Sequence, residues 1–432
     1  MLFEIVTTSL MGGIALNAFV KKKGLTTNDS GKIQRIISLS GLNVKDGKDT
    51  LTTQLIRKKK HDWGWEYAYR IPLGRSFDEY KAKRNIIEDG LNNRRQRVTI
   101  SDLKALKLDA TLIEQIKKLW KQKLLDHKEI EISFDGLLKI RVYDEPLPTF
   151  IPFHPGTEWK VPVGITRDRN TFRYHNFETS PHMVLGGATR YGKSNFINGM
   201  ISSLVKSQPD NVRFYLIDLK GGVEFCDYEN MKHTISIAYE PKEAQETLKL
   251  AYEHMKLMQQ KVRTFGKKNV QEAGIKERCF VIIDEVGELN PTEAVDPEEK
   301  KIKIQCQIYM SQIARLGAGL GFRQILASQY TTGDIVPRQC KQNSDAKLCF
   351  RVQSGVASKV ILDGDGAEDL PQIKGRAIYQ MADKREILQT PMITSHNIQE
   401  IISPYIKKED IKLEKEEFKP ARRTNLVTFE EV

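Results

Sequence analysis

A glycine-rich turn between an apolar run and a helical stretch carries the clearest chemistry in this sequence. It reads Val184-Leu-Gly-Gly-Ala-Thr-Arg-Tyr-Gly-Lys-Ser194, and residues 195–205 continue as a helix-compatible stretch. Such glycines let backbone N–H groups converge on phosphates, towards which the following helix points its positive N-terminal end. In this pattern Lys193 reaches the β- and γ-phosphates and the Ser194 hydroxyl binds Mg²⁺. The segment predicts a site for ATP and Mg²⁺; a glycine turn without a ligand is the alternative. The candidate nucleotide-binding residues are Gly187, Ala188, Thr189, Arg190, Tyr191, Gly192, Lys193, Ser194 and Asn195.

Two adjacent carboxylates could complete this chemistry. They end the apolar run Cys279-Phe-Val-Ile-Ile-Asp284-Glu285, which is typical of a strand buried on both faces of a parallel sheet. At its carboxyl end Asp284 would hold Mg²⁺, and Glu285 would accept a proton from the attacking water or orient that water. The alternative is a core strand that carries two solvated acids at its tip. Together with the glycine turn, the pair predicts ATP hydrolysis.

Length, charge and cysteine content limit the class of protein. The 432 residues suffice for two or three domains and a substantial core. Residues 1–150 contain 28 Lys and Arg against 19 Asp and Glu, so they carry most of the formal net charge of +12. This excess indicates contact with a polyanion or an anionic membrane, with a generic solvated basic surface as the alternative. The five cysteines lack CxxC pairing and histidine clustering, which predicts reduced cysteines in a cytosolic protein without a zinc site.

Residues 1–23 are a candidate transmembrane anchor. Apart from Glu4, Asn17 and a few hydroxyl groups, the first 20 residues are apolar, and three lysines follow at positions 21–23. About 20 apolar residues can cross a bilayer, and a lysine cluster marks the cytoplasmic side. The pattern does not fit a removable signal peptide. The expected location is therefore the cytoplasmic side of the cell membrane; a buried or partner-binding helix in a cytoplasmic protein is the alternative.

Residues 24–150 are predicted to form a basic α+β domain. Thr50–Ile56 and Glu66–Pro72 alternate apolar and polar residues around a Lys/His/Gly-rich turn, which indicates a hairpin. Helical spacing follows over 76–92 and again over 101–125. A second strand pair is predicted at 129–134 and 138–142, with Asp135-Gly136 at its turn.

Basic clusters at 57–61 and 94–97 supply the charge of this domain. Trp63, Trp65 and Tyr67, beside the first cluster, could stack on nucleic-acid bases, although packing of the hairpin is the favoured interpretation. The segment 146–162 contains five prolines and is predicted to link this domain to the next one.

Residues 151–395 are predicted to form an α/β domain. Apolar strands at 214–217, 280–283 and 324–327 alternate with helical stretches at 195–206, 241–265 and 302–316. This alternation predicts a parallel sheet with helices on both faces. Gln329 follows the third strand at the edge where a γ-phosphate would lie, so it is a candidate sensor of hydrolysis, with a surface glutamine as the alternative. Residues 396–432 are charged and poor in apolar residues, which predicts a solvated helix and a loose tail.

Several motifs in a fixed order give this sequence a family resemblance. The glycine turn is followed by Leu216-Ile-Asp218-Leu-Lys220, Val281-Ile-Ile-Asp284-Glu285, Gly321-Phe-Arg-Gln-Ile-Leu-Ala-Ser-Gln329 and Phe350-Arg351-Val352. Over about residues 180–380 the chain resembles the FtsK/SpoIIIE family of DNA translocases, in particular the short FtsK-type coupling proteins of Gram-positive conjugative elements. The resemblance implies a RecA-like P-loop ATPase domain that uses ATP and Mg²⁺.

The resemblance also implies partners. It suggests a homo-hexameric ring that pumps double-stranded DNA through its centre, with an arginine from the adjacent subunit at each nucleotide. Arg351 is the first candidate for that arginine and Arg315 the second; an ordinary ion pair within one subunit is the alternative for both. A relaxase, secretion-channel proteins and the membrane are further expected partners. Choice of DNA would fall to such a partner, because Lys and Arg contacts to the DNA backbone are sequence-blind.

Some positions depart from the family pattern. Arg190 and Tyr191 occupy loop positions that small residues usually fill, and Arg376 stands where the family often has Asp. Two other classes stay open: an FtsK/SpoIIIE-like ATPase that drives protein secretion, and a nucleotide-gated assembly protein with little turnover. The single predicted ATPase domain and the basic N-terminal part favour DNA over secretion. The second carboxylate, Glu285, argues against a pure switch.

Overall fold

A four-stranded antiparallel sheet with helices on one face forms the N-terminal part of the protein. The computed structural model describes residues 29–92, 128–167, 171–329, 335–382 and 384–407. Along the sheet the strand order is β3-β4-β6-β5, and β1 and β2 form a separate hairpin. The elements of this part are α1 (Asp29–Leu39), β1 (Val44–Asp46), β2 (Asp49–Leu51), β3 (Gln54–His61), β4 (Gly64–Arg70), α2 (Phe77–Ala82), α3 (Arg84–Asn92), β5 (Glu129–Phe134) and β6 (Leu138–Tyr143).

Side chains that point alternately to the two faces of the sheet build the core of this N-terminal part. On β6, Leu138, Ile140 and Val142 are fully buried, whereas the residues between them lie on the other face of the sheet. The buried face packs against Ile33 of α1 and Ile87 of α3, which belong to the same apolar cluster. The strand pair predicted at 129–134 and 138–142 is confirmed.

The predicted hairpin exists, but its turn was placed wrongly. The basic cluster 57–61 belongs to β3, and the chain reverses at residues 62–63. Because β3 lies at the edge of the sheet, its long charged side chains can extend into solvent, so a basic run can form this strand. Trp65 and Tyr67 stack on each other and pack with the core, as the packing interpretation expects. The helical stretch 76–92 is broken at Lys83 into α2 and α3, with a Ser76–Glu79 capping box at its start.

Three predictions lie outside the described residues: the anchor at 1–23, the basic cluster 94–97 and the helix at 101–125. Within the ranges that the structure describes, no helix is both long enough and apolar enough to span a membrane.

A mixed sheet of ten strands dominates the second part of the protein, with strand order β11-β10-β12-β13-β9-β14-β15-β16-β7-β8. Its strands are β7 (Lys160–Thr166), β8 (Phe172–Asn176), β9 (Met183–Gly186), β10 (Val212–Ile217), β11 (Thr234–Ala238), β12 (Arg278–Ile283), β13 (Phe322–Ser328), β14 (Ala346–Phe350), β15 (Arg376–Met381) and β16 (Lys384–Gln389). The helices are α4 (Lys193–Ser207), α5 (Pro241–Thr264), α6 (Pro297–Leu316), α7 (Arg338–Gln342), α8 (Gly355–Leu362) and α9 (Ser395–Ile402).

The parallel part of the sheet agrees with the sequence prediction. The six strands from β11 to β14 are parallel, and they include all three predicted strands. The remaining strands pair in antiparallel fashion, contrary to the purely parallel sheet that the alternation of strands and helices predicts. Pro162, expected in the linker, lies in β7. In the parallel part, the carboxyl ends of β9, β12, β13 and β14 share one edge, where residues from distant parts of the chain meet.

Helices cover both faces of this sheet. On one face, α5 and α6 bury Leu248 and Met310 against Val281. On the other face, α4 buries Ile201 against Phe280, the neighbour of Val281 on β12. Successive residues of β12 therefore enter different cores, which explains the unbroken apolar run that ends at Asp284.

Helix α9 shows that the start of the charged C-terminal segment is not simply solvated. Its Ile398 and Ile402 are buried in the core that α4 forms, contrary to the expected solvated helix. Two isoleucines four positions apart share one helix face, so even this polar stretch has a side that can pack. Residues 408–432 lie beyond the described part of the chain.

A buried ion cluster joins the two parts of the protein. Glu129, the first residue of β5, lies 2.5 Å from Arg167 and 3.8 Å from Arg376 of the larger part. The Arg376 guanidinium also donates to the carbonyl oxygens of Leu147 and Pro148. Burial lowers the pKa of Arg376 to about 10, although the charge of Glu129 opposes this. The arginine that departs from the family pattern therefore binds the N-terminal part and its connecting segment.

Candidate nucleotide site

The phosphate loop, residues 187–194, connects β9 to α4 at the shared carboxyl edge. Gly187 has φ 155°, and a Cβ atom there would lie 2.6 Å from Cβ of Phe350. Only glycine therefore lets the loop pass so close to β14. The N–H of Ala188 donates to the Arg351 carbonyl (2.9 Å), and the N–H of Gly375 donates to the Tyr191 carbonyl (2.8 Å). The residues that follow β14 and precede β15 thus hold the loop in place.

Lys193 and Asp284 are in direct contact. The Lys193 ammonium donates to Oδ1 of Asp284 (3.0 Å) and to its main-chain oxygen (2.6 Å). Both side chains are almost completely buried, with 3% of Lys193 and none of Asp284 exposed. Two charges are tolerated at such depth because each is paired and hydrogen-bonded.

The residues present fit a hard divalent cation. The Oδ2 atom of Asp284 is buried and has no hydrogen-bond partner among the described residues. Ser194, the residue after Lys193, lies at the same end of α4. A carboxylate and a hydroxyl are ligands that Mg²⁺ accepts, together with water and phosphate oxygens. Ser194 and Asp284 are therefore the residues that would hold Mg²⁺.

Glu285 is buried and held from two sides. One oxygen accepts a hydrogen bond from the Ser328 hydroxyl, and the other accepts one from the Gln329 N–H (2.9 Å). Burial raises the pKa of Glu285 above its ordinary value, although the charge of Lys193 and these two hydrogen bonds oppose the shift. A carboxylate with a raised pKa is a stronger base than a solvated glutamate.

Gln329 contacts the phosphate loop directly, unlike an ordinary surface glutamine. Its side-chain oxygen accepts hydrogen bonds from the Thr189 hydroxyl (2.9 Å) and from the Lys220 ammonium. Since its main-chain N–H binds Glu285, Gln329 joins the loop, the end of β10 and the candidate base. This is a suitable position for a residue that senses the γ-phosphate, and that role stays a prediction.

The remaining predicted residues differ in their exposure and in their hydrogen-bond partners. Arg190 is exposed and has φ 73°, in the left-handed region. The Asn195 amide donates to the Ile393 carbonyl (2.7 Å), so its side chain is engaged within the fold. Arg351 donates to the Leu370 carbonyl of its own chain, and Arg315 is exposed on α6. Whether either arginine reaches a neighbouring subunit stays a prediction.

Sequence reasoning missed the carboxylates at the end of β10. Asp218 is fully buried, and Glu224, six residues later, accepts a hydrogen bond from the Ser194 hydroxyl (2.9 Å). The motif around Asp218 contributed to the family resemblance, but neither residue was given a role. The only available signal was the position of Asp218 after a predicted parallel strand, at the same edge as the phosphate loop.

A second unpredicted cluster contains His254, Glu277 and Cys279, whose potential ligand atoms lie within 4.8 Å of one another. Glu277 lies 3.2 Å from Nε2 of His254, whereas the Tyr215 hydroxyl lies 2.8 Å from Nδ1 of the same ring. Both ring nitrogens of this partly exposed histidine already have protein partners, so the ring is held by hydrogen bonds within the fold.

A buried strand, a glycine loop, a helix and an acid at the end of another parallel strand of the same sheet together define a P-loop ATPase fold. Residues 156–317 match the model of the FtsK/SpoIIIE family. The chain therefore contains an FtsK/SpoIIIE-family domain, and the resemblance stated from its motifs is confirmed.

Similar proteins agree with this assignment. The chain is 32% identical over 274 residues to "DNA translocase FtsK" of Tropheryma whipplei, covering 59% of this chain and 35% of that protein. It is 29% identical over 269 residues to "DNA translocase FtsK" of Streptococcus pyogenes serotype M3, covering 58% and 32%. The chain thus spans about a third of the length of the curated relatives it matches.

Among solved structures, the fold resembles that of the pCW3 conjugation coupling protein TcpA, determined as a monomer with ATPgS. The TM-score is 0.59 at 20% identity, over 87% of this chain and 99% of that one. This likeness extends across both parts of the protein, so the combination of the small N-terminal part with the P-loop ATPase fold is shared.

Proposed function

We propose that this protein is an ATP-driven translocase of double-stranded DNA that serves DNA transfer by a conjugative or mobile element. The observation that carries the proposal is the meeting of Lys193, Asp284 and Glu285 in an FtsK/SpoIIIE-family domain. The names of the relatives, DNA translocases and a conjugation coupling protein, support DNA as the substrate.

The residues of the site have distinct parts in the proposed hydrolysis. The phosphate loop binds the triphosphate through its N–H groups, and Lys193 moves from Asp284 to the β- and γ-phosphates. Glu285, fixed by Ser328 and Gln329, takes the proton of the attacking water or orients that water. Mg²⁺, held by Ser194 and Asp284, would neutralise charge that develops on the phosphate oxygens.

The basic edge strand β3 supports contact with DNA. Its residues Arg57, Lys58, Lys59 and Lys60 are all exposed. Such side chains bind DNA phosphates without reading sequence. Each phosphate contact makes the fall of log affinity with log salt concentration steeper by about 0.9. Replacing Lys58, Lys59 and Lys60 by glutamine is expected to weaken binding and reduce this slope.

We further infer a homo-hexamer on the cytoplasmic side of the cell membrane, with a relaxase and secretion-channel proteins as partners. The resemblance of the motifs supports the ring, and the lysines after residue 20 support the membrane location. Mass measurement of the protein with DNA and a non-hydrolysable ATP analogue tests the oligomer.

The decisive experiment measures ATP hydrolysis and displacement of a third strand from triplex DNA, with linear double-stranded DNA at several salt concentrations. We expect DNA to stimulate hydrolysis, stimulation to fall with rising salt, and displacement to require ATP. The Glu285→Gln variant is the control that binds DNA without displacing the strand. Hydrolysis that DNA does not change at any salt concentration would favour a protein substrate instead.

A further inference from the structure

The segment after β10 folds back onto the phosphate loop. Asp218 ends this strand, and its two carboxylate oxygens accept hydrogen bonds from the N–H of Lys220 (3.1 Å) and the N–H of Glu224 (2.8 Å). A fully buried carboxylate that binds two main-chain donors fixes the path of the turn between them. The side chain of Glu224 is thereby held near the N-terminus of α4.

Glu224 accepts a hydrogen bond from Ser194, a residue expected to bind the metal. The Ser194 hydroxyl donates to its Oε1 atom at 2.9 Å. A hydroxyl oxygen that binds a cation uses a lone pair for the metal and must donate its proton elsewhere. Glu224 is the acceptor in this structure, so the Ser194 lone pairs are left for another partner.

An independent observation favours a cation at the same end of the helix. Asp284 directs a fully buried carboxylate oxygen that lacks a partner within the described part of the chain. Asp284 and Glu224 also lie close enough for their charges to act on each other. A divalent cation held by Ser194 and Asp284 would offset the repulsion of these carboxylates and give the free oxygen of Asp284 a partner.

We propose that Glu224 is a positioning residue of the magnesium site. It orients the Ser194 hydroxyl by accepting its hydrogen bond, and its charge strengthens the attraction for the cation. This inference rests on the proposed ATP site. It adds Glu224 to Ser194 and Asp284 as a third residue of the magnesium site. Partners of metal ligands in other proteins contribute about 10- to 100-fold to metal affinity.

The test measures binding of a fluorescent ATP analogue to the full chain, without turnover, as Mg²⁺ is titrated from an EDTA-buffered start. For Glu224→Ala we expect the Mg²⁺ concentration at half-maximal binding to rise by about 10- to 100-fold. Glu224→Gln should show a smaller rise, because its amide oxygen can still accept a hydrogen bond from the Ser194 hydroxyl. Binding in EDTA should match that of the wild type in both variants.

Glu229→Gln is the matched control, since Glu229 lies five residues further on, is exposed, and accepts a hydrogen bond from Tyr239. Its Mg²⁺ requirement should be that of the wild type. If Glu224→Ala melts at a lower temperature than the wild type, the Mg²⁺ requirement of the isosteric Glu224→Gln decides whether the inference holds. An unchanged Mg²⁺ requirement in a correctly folded variant overturns the inference. If even the wild type binds no nucleotide, the proposed function fails first, and this inference fails with it.

Discussion

The ammonium group of Lys193 lies 3.0 Å from Oδ1 of Asp284, although 91 residues separate the two in the chain. Their contact follows from topology: β9 and β12 are parallel strands of one sheet, so the residues after them reach the same edge. The lysine proposed to bind phosphate thus lies beside the acid proposed to hold the metal.

Lys193→Ala should abolish nucleotide binding. The variant removes charge-assisted hydrogen bonds to the phosphates, each worth about 1.5–3 kcal/mol, so we expect affinity to fall by roughly 100-fold or more. Equilibrium binding of a fluorescent ATP analogue measures the loss. The control is Lys206→Ala, at the exposed end of the same helix. Wild-type affinity in Lys193→Ala would refute the assignment of the phosphate loop.

Glu285→Gln should bind ATP normally and lose hydrolysis. The amide keeps the shape of the side chain but cannot accept the proton, and such a loss costs about 10²- to 10⁴-fold in rate. Single-turnover hydrolysis, with binding measured in parallel, separates the two effects. Glu288→Gln is a suitable control because Glu288 is exposed three residues away. Undiminished turnover in Glu285→Gln would leave Glu285 without a catalytic role.

The sequence predicts the local part of this site and misses the part made between distant segments. The glycine turn and the Asp284-Glu285 pair are continuous motifs, and an apolar run before each indicates a buried strand. By contrast, the contact of Glu224 with Ser194 depends on a turn without periodicity. The antiparallel pairing of β16 with β7 was missed for a related reason, since it joins residues far apart in the chain, such as Leu388 and Thr166. Neither a sequence motif nor the periodicity of apolar residues indicates which distant residues come into contact.

Glu178 should make stability depend on pH. Burial alone would raise its pKa, but hydrogen bonds from Arg278 and Gln271 and the charge of Arg323 lower the pKa to about 2. A carboxyl group whose pKa is lowered by folding stabilises the protein above its unfolded pKa of about 4.3, and this contribution is lost as the pH falls towards 2.

We therefore expect Glu178→Gln to lower the free energy of unfolding by about 3 kcal/mol at pH 7. The difference from the wild type should shrink as the pH falls below about 4.3. Urea unfolding between pH 3 and pH 7 measures it, with the exposed Glu272→Gln as control. A difference that stays constant over this range would mean that Glu178 acts through packing and not through charge.

Glu129 should stabilise the junction between the two parts of the protein. Glu129→Gln leaves Arg167 and Arg376 buried without their counter-charge, which costs about 3–5 kcal/mol when a buried pair is broken. Glu131→Gln, two residues along the same strand, removes a partly exposed partner of Arg141 and should cost about 1 kcal/mol or less. Thermal unfolding measures the loss of stability in both variants. Equal losses would show that the buried cluster stabilises the protein no more than the partly exposed ion pair does.

Arg351 can be assigned to a neighbouring or to its own nucleotide site by mixing variants. Lys193→Ala and Arg351→Ala should each be inactive alone, whichever site the arginine serves. If Arg351 acts in the adjacent subunit, about a quarter of the interfaces in a random equimolar ring combine an intact loop with an intact arginine.

The mixture should then regain DNA-stimulated ATP hydrolysis. A mixture of Lys193→Ala with Glu285→Gln is the control, because both of these residues belong to one chain's site and no interface is repaired. Since the Arg351 main chain supports Ala188, the melting temperature of Arg351→Ala must match that of the wild type for the comparison to hold. If the arginine mixture regains no more activity than the control, Arg351 serves its own subunit, where its guanidinium already binds the Leu370 carbonyl.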